Sequence, residues 1–211
     1  MQTPIFQEVP MINTIIFDIG MVLIDFCWRD MLHGFGLEGE DFEIVANATV
    51  RHPAWNEFDK GIMSTEEVID TFAESAPKYR RYIEQIFKDP TKMISQYDYT
   101  KDWIKELKDR GYKIYILSNW SKPTYHACLD NELDFLPLVD GAVFSFQEHL
   151  IKPDKRIFET ICNRYHINPS EAVFLDDNAE NVRSSREFGL HTIHFKNYEQ
   201  GRKELEDLLA Q

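Results

Sequence analysis

The stretch FDIGMVLIDF, residues 17–26, closes an apolar run with Asp18, places Gly20 two residues later and then returns to apolar residues. Together with the residues before it, MINTIIFD (11–18) reads as a buried strand, rich in Ile and Phe, that ends at Asp18 after an irregular start. A carboxylate at the end of a buried strand can be a nucleophile or a polar strand end, and the residues around it decide which.

The same pattern recurs downstream. TKDWIKELKDRG (100–111) places Trp103, Ile104 and Leu107 on one helical face and ends in Gly111, a suitable cap. YKIYILSN (112–119) reads as a second strand. PDKRIFETICNRYHI (153–167) has helical periodicity through Ile157, Phe158, Ile161 and Tyr165, and EAVFLDDN (171–178) is an apolar strand ending in carboxylates. A helix, AENVRSSREFGL (179–190), then a strand, HTIHF (191–195), and an acidic amphipathic helix from about Tyr198 complete the chain. Strands alternating with helices predict a doubly wound, mostly parallel, Rossmann-like α/β sheet, with its ligand crevice beyond the carboxyl ends of the strands. Asp18, Ser118, Asp176 and Asp177 all fall at such ends.

Between residues 27 and 96 the pattern changes to helical segments, EDFEIVANATVRHPAWNEF (40–58) and STEEVIDTFAESAPKYRRYIEQIF (64–87), with no clear strand among them. Ser64 and Glu67 have capping-box spacing. This stretch is expected to be an inserted α-helical cap, leaving 1–26 and 97–211 as the α/β core.

The chain has 211 residues, 43% of them hydrophobic, enough for a packed core. A formal charge of -13 disfavours nucleic acid and anionic membranes. Cys27, Cys128 and Cys162 have no metal-like spacing and fit buried thiols in a reducing compartment. No basic leader and no membrane-length apolar run is present, so a soluble cytoplasmic protein, monomer or homodimer, is expected. His191 and His194, three apart on a strand, face opposite sides and do not make a zinc pair. Asn47 begins a glycosylation sequon by pattern alone, which a cytoplasmic setting leaves irrelevant.

Taken singly, each candidate has a structural explanation. Asp18 could cap a loop, Ser118 and Asn119 could form a turn, Lys152 could be a solvated residue before Pro153, and Asp176 and Asp177 could cap a helix. Their joint order is more informative. FDIGMVLID (17–25), ILSN (116–119), IKPDKRIFE (151–159) and FLDDNAEN (174–181) resemble, in order, the four motifs of the haloacid dehalogenase superfamily. The pattern is most similar to a bacterial sugar-phosphatase-like branch, that of the glucose-1-phosphate phosphatases, whose first motif is Asp-x-Gly.

The resemblance implies that Asp18 attacks a phosphoryl group to form an aspartyl phosphate. Ser118 and donors around Asn119 would hold the non-bridging oxygens, and Lys152 would offset charge. Mg2+ is the implied cofactor and the chemically sensible one, since several carboxylates beside a phosphate require a hard cation. Its ligands would be Asp18, the Gly20 carbonyl and Asp177, with Asp176 binding directly or through water; Asn181 either orients the site or faces solvent.

Most phosphatases of the superfamily carry a second Asp, a general acid and base, where this chain has Gly20. Such a group is typically worth a factor of about 100 to 10,000. A good leaving group such as an anomeric hydroxyl could compensate, or another group such as Asp25 or a cap histidine could take over. His149 stands where the family often has Gly. In RHPAWNEFDKGIMS (51–64), Arg51, His52, Trp55 and Lys60 are candidates to read the leaving group, or are simply parts of a packed cap helix. The expected activity is an Mg2+-dependent phosphatase of small phosphorylated metabolites, sugar phosphates first among them. The rivals are a metal-independent 2-haloacid dehalogenase and a non-catalytic phospholigand-binding protein.

Overall fold

A computed structural model describes residues 11–210; the irregular start expected before Met11 lies outside them. The first strand, β1 (Thr14–Phe17), is short and completely apolar after Thr14. A second, β2 (Ile24–Phe26), leads into five helices: α1 (Trp28–Gly34), α2 (Gly39–Ala48), α3 (Ala54–Asp59), α4 (Thr65–Ser75) and α5 (Arg80–Lys88). The chain returns through β3 (Ile94–Gln96) to α6 (Thr100–Asp109), β4 (Lys113–Ser118), α7 (Lys122–Cys128), β5 (Gly141–Phe144) and α8 (Ser145–Glu148). Finally come α9 (Lys155–Tyr165), β6 (Ala172–Asp176), α10 (Ala179–Phe188), β7 (His191–His194) and α11 (Tyr198–Leu209).

Five strands form one parallel sheet in the order β5-β4-β1-β6-β7. The chain moves outward from β1 through β4 to β5, then crosses back to the far side of β1, so the strand order reverses at β1. In sheets of this kind the ligand crevice lies beyond the carboxyl ends at that reversal. Register carries the point further: Phe17 pairs with Ile116 and Leu175, so β1, β4 and β6 end level with one another. Asp18, Ser118 and Asp176 therefore arrive on one rim.

Side chains alternate between the two faces of the sheet. Ile15, Phe17, Ile114, Ile116, Val173 and Leu175 pack with Trp103, Ile104 and Leu107 of α6 and Leu205 of α11. On the other face Ile16, Tyr115, Leu117 and Phe174 meet Ile157, Phe158 and Ile161 of α9. Each fully buried Ile, Leu or Phe contributes about 1.5–3 kcal/mol relative to exposure, and this double cover fixes the rim.

The helices α2–α5 share a smaller core of Ala48, Ala54, Phe58, Val68, Phe72 and Ile83, whereas α1 joins the main core through Trp28, Met31 and Leu32. Ser64 and Glu67 close the capping box at the start of α4. One expectation needs correcting here. The stretch to residue 96 does contain a strand, β3, antiparallel to β2 with Asp25 opposite Ser95. Three residues are too few to show an alternating pattern, and β3 is set by its partner. Of the cysteines, Cys128 and Cys162 are buried and Cys27 is half-buried; all are free thiols.

Candidate active site

Asp18 continues the ladder beyond β1, its N–H donating to the Leu175 carbonyl at 2.9 Å. Its side chain is held from three directions, all at Oδ1: by the Ile19 N–H at 2.7 Å, the Ser118 hydroxyl at 2.8 Å and Lys152 Nζ at 2.7 Å. Among the described residues no hydrogen bond reaches Oδ2, which is left for chemistry. The loop then turns back on itself: the Ile24 N–H donates to the Ile19 carbonyl and the Met21 N–H to the Ile24 carbonyl, with Met21 in the left-handed region at φ 58°. Gly20 needs no such conformation, and a Cβ there would meet nothing within 4 Å.

Lys152 is enclosed almost completely, and its ammonium donates to Asp18 Oδ1, to Asp176 Oδ2 at 2.8 Å and to the Leu117 carbonyl at 2.9 Å. Three protons meet three oxygens. Asn119 contributes indirectly, because its side chain clamps the Lys152 backbone, accepting from the N–H at 2.9 Å and donating to the carbonyl at 3.1 Å. His149 sits at φ 55°, a conformation that glycine adopts without strain, and its ring faces the Lys60 carbonyl.

Asp176 ends β6 fully buried. Its Oδ1 accepts from the Asn178 N–H at 2.8 Å, and Asn181 Nδ2 lies 3.1 Å from both carboxylate oxygens. Of the two readings of Asn181, the structure shows the inward one, buried in the first turn of α10. Asp177 lines the cavity at the rim, with its carbonyl taken by His194.

Burial raises the Asp18 carboxyl to about 7, against the pull of Lys152, with Asp176 and Asp177 pushing in the same direction as burial. Asp177 is also raised, by burial and by Asp176. For Lys152 burial is the largest single influence and would lower it, but the carboxylates of Asp176 and Asp18 together outweigh it and hold the ammonium charged. Oxygens of Asp18, Asp176 and Asp177 lie within 4.8 Å of one another. Three carboxylates against one ammonium leave a formal charge of -2, so the all-oxygen donor set and the charge deficit both fit a hard divalent cation.

Asp18, Lys152 and Asp177 open onto a cavity of about 240 Å³, with Asp176 buried behind them. Asp18, Gly20, Ser118, Asn119, Lys152, Asp177 and Asn181 line its floor, and Met21, Phe26, Trp55, Met93, Ile94 and Trp120 line an apolar wall. Asp59, at the end of α3, also faces it. Arg51, His52 and Lys60 do not line the cavity: Arg51 pairs with Glu43, the His52 ring accepts from the Ala54 N–H, and Lys60 pairs with Glu57. Asp25 and the histidines are likewise absent from its lining. Sequence reasoning missed Asp59 and Trp120. The signal for Asp59 was its place four residues after Trp55, hence on the same helical face. Trp120 follows the second motif directly, and its buried indole N–H has no hydrogen-bond partner among the described residues.

A family model described as haloacid dehalogenase-like hydrolase matches residues 12–189. The chain belongs to the haloacid dehalogenase-like hydrolase family. Among curated relatives, this hydrolase is 31% identical over 167 residues to acyl-CoA dehydrogenase family member 10 of Mus musculus, covering 74% of this chain but only 15% of that protein. It is 26% identical to the D-ribitol-5-phosphate phosphatase of Bacteroides thetaiotaomicron, covering 94% of this chain and 99% of that one. A sesquiterpene phosphatase of Aspergillus oryzae is 24% identical, with 85% and 87% covered. Two solved structures share the fold. One is a HAD family enzyme of Bacteroides thetaiotaomicron in complex with magnesium and inorganic phosphate (TM-score 0.70, 20% identity, 88% and 94% covered). The other is a dehalogenase with an intermediate complex (TM-score 0.72, 20% identity, 97% and 100% covered).

Proposed function

We propose that this hydrolase is an Mg2+-dependent phosphatase of small phosphorylated metabolites, with Asp18 as nucleophile. The observation that carries the reading is the convergence of Ser118, Lys152 and the Ile19 N–H on one oxygen of Asp18, in a cluster where oxygens of Asp18, Asp176 and Asp177 lie within 4.8 Å of one another.

In this reading Asp18 Oδ2 attacks phosphorus, and the aspartyl phosphate so formed is hydrolysed in a second step. Lys152 offsets the charge of Asp18 and of the phosphoryl group, the Ser118 hydroxyl passes from Asp18 to a phosphoryl oxygen on substrate binding, and Asn119 acts by fixing the Lys152 backbone. Asp18, Asp177 and the Gly20 carbonyl would hold Mg2+, with Asp176 beside them. The ion would supply charge compensation for the phosphoryl oxygens. Asn181 and the Asn178 N–H orient Asp176. The inserted helices act as a cap, and Trp55 offers the leaving group an aromatic face, which suits the apolar side of a sugar ring. Arg51, His52 and Lys60, engaged elsewhere, are not assigned to substrate in this reading.

Phosphatases among the relatives support it, and so does the acidic rim, which displacement of a halide would not require. A relative named (S)-2-haloacid dehalogenase 4A, 31% identical over 103 residues, keeps 2-haloacid dehalogenation as the alternative. Turnover of a panel of sugar phosphates and of 2-chloropropionate, each with Mg2+ and with EDTA, separates the two. EDTA-sensitive phosphate release supports the phosphatase, and EDTA-resistant chloride release contradicts it.

A further inference from the structure

Phosphoryl transfer to Asp18 leaves an oxygen that needs a proton, and the position two residues after the nucleophile is Gly20. We propose that Asp59, carried by the inserted helices, is the general acid and base of this reaction. The assignment rests on the phosphatase reading.

Placement comes first. Among the described residues, the carboxylates lining the cavity are Asp18, Asp177 and Asp59, and no histidine lines it. Asp18 and Asp177 are taken by the nucleophilic and cation-holding roles, so Asp59 is the acid left over, on the leaving-group side with Trp55.

Asp59 is also fixed to the core. Its carbonyl accepts from the Ser145 hydroxyl at 2.6 Å, and Ser145 Oγ in turn accepts from the Trp120 N–H at 2.8 Å. Ser145 is fully buried, so this bridge ties the end of α3 to the residue that follows Ser118 and Asn119. A second latch follows, where the His149 ring meets the Lys60 carbonyl at 2.8 Å. Gly61 is the third: at φ 69° its Cα lies so close to Phe146 that a Cβ would come within 3.0 Å of the Phe146 carbonyl oxygen. Three contacts in consecutive residues hold the Asp59 backbone in register with the floor of the cavity.

The setting of the carboxyl favours the protonated form that an acid requires below about pH 8. Burial pushes it up to about 8, opposed by a hydrogen bond with the Trp55 indole. The charged groups around it are occupied or turned away. On its own helix Glu57 and Lys60 pair with each other; on α8 and its end Glu148 pairs with Arg164 and His149 faces a carbonyl. Glu66, Glu67, Asp70 and Glu74 of the packed α4 are exposed, and across the cavity Lys152 is held by Asp18 and Asp176.

The steps balance. Asp18 Oδ2 forms a bond to phosphorus, the bond from phosphorus to the leaving oxygen breaks with its electron pair going to that oxygen, and Asp59 delivers the proton that makes it an alcohol. Water then attacks the same phosphorus, its proton passes to the Asp59 carboxylate, and the Asp18 carboxylate and inorganic phosphate are released.

The test compares kcat and kcat/KM for 4-nitrophenyl phosphate and 2-phenylethyl phosphate in wild type, Asp59→Asn, Asp59→Glu and Asp18→Asn, across pH 5 to 10 with Mg2+. Asp59→Asn is expected to lower kcat/KM about 100-fold for the alkyl ester and only a few-fold for the nitrophenyl ester, whose leaving group needs little protonation; kcat falls for both, because hydrolysis of the shared aspartyl phosphate loses its base. The alkaline limb of the alkyl pH profile disappears with it, and Asp59→Glu restores part of the rate. Equal losses of kcat/KM for both esters, or an unaltered alkaline limb in Asp59→Asn, overturn the assignment while Asp18-dependent turnover still upholds the phosphatase reading. If the folded wild type releases phosphate from neither ester, or does so unaffected by Asp18→Asn, the phosphatase reading falls and the assignment with it.

Discussion

Lys152 Nζ lies 2.7 Å from Asp18 Oδ1 in a setting closed to solvent, and the same ammonium serves Asp176 at 2.8 Å. Removing one partner of a buried ion pair leaves an uncompensated charge. Lys152→Met is therefore expected to cost about 3–5 kcal/mol in urea denaturation of the metal-free protein. Excess Mg2+ should recover part of that loss, because a divalent cation meets the same charge deficit. A loss below about 1 kcal/mol would show that Asp18 and Asp176 do not both depend on this lysine.

Asn181 meets both oxygens of Asp176 from the first turn of α10. In the proposed reading it orients a carboxylate of the Mg2+ site without itself binding the ion. Asn181→Leu keeps the volume and removes the donor, and about a 10- to 100-fold weaker Mg2+ affinity is expected, as for other partners of metal-holding groups. Calorimetric titration with Mg2+ measures it; unchanged affinity would restrict Asn181 to helix packing.

The raised Asp59 carboxyl also makes a stability prediction that needs no substrate. In the unfolded chain this group loses its proton near the ordinary Asp value of 3.8, and in the folded protein at about 8. Between those limits the folded state holds a proton that the unfolded state has released, so stability falls as pH rises through the interval. Asp59→Asn should match wild type near pH 4 and exceed it by a growing margin up to about pH 8. Parallel Tm curves for the two proteins across that range would show that Asp59 ionises normally.

Gly20 has an ordinary backbone conformation, and a Cβ there meets no neighbour within 4 Å, so the backbone admits a side chain at this position. Gly20→Asp in the Asp59→Asn background is expected to restore turnover of alkyl phosphates by about tenfold or more, within the range of general acid help. No recovery in the folded double variant would mean that something other than a missing acid limits Asp59→Asn.

How far the sequence was legible depends on the length of each signal. β1, β4 and β6 are nearly continuous apolar runs ending in Asp18, Ser118 and Asp176, and α6, α9 and α10 carry clear stripes, with Gly111 and Gly189 closing the first and last of them, so the sheet and its rim could be read directly. Gly189 at φ 114° ends α10 where expected. β5 could not be read, since Gly141–Phe144 is four residues long and opens with glycine. β2 and β3, three residues each, are defined only by pairing with one another. The floor of the cavity follows from strand ends, which register brings together. Its wall does not: Asp59 and Trp120 meet through the Ser145 bridge, a contact between distant segments that no local spacing encodes. Arg51, His52 and Lys60 illustrate the same limit, because a helix in the right stretch still presents only some of its side chains to the cavity.

The most direct measurement is phosphate release from a panel of anomeric and non-anomeric sugar phosphates, in Mg2+ and in EDTA, by wild type and Asp18→Asn. Multiple turnovers in Mg2+, abolished both by EDTA and by the substitution, are the predicted result. Turnover that survives Asp18→Asn, or phosphate and Mg2+ that bind to the wild type without being turned over on any substrate, would contradict Asp18 as the nucleophile of a phosphatase.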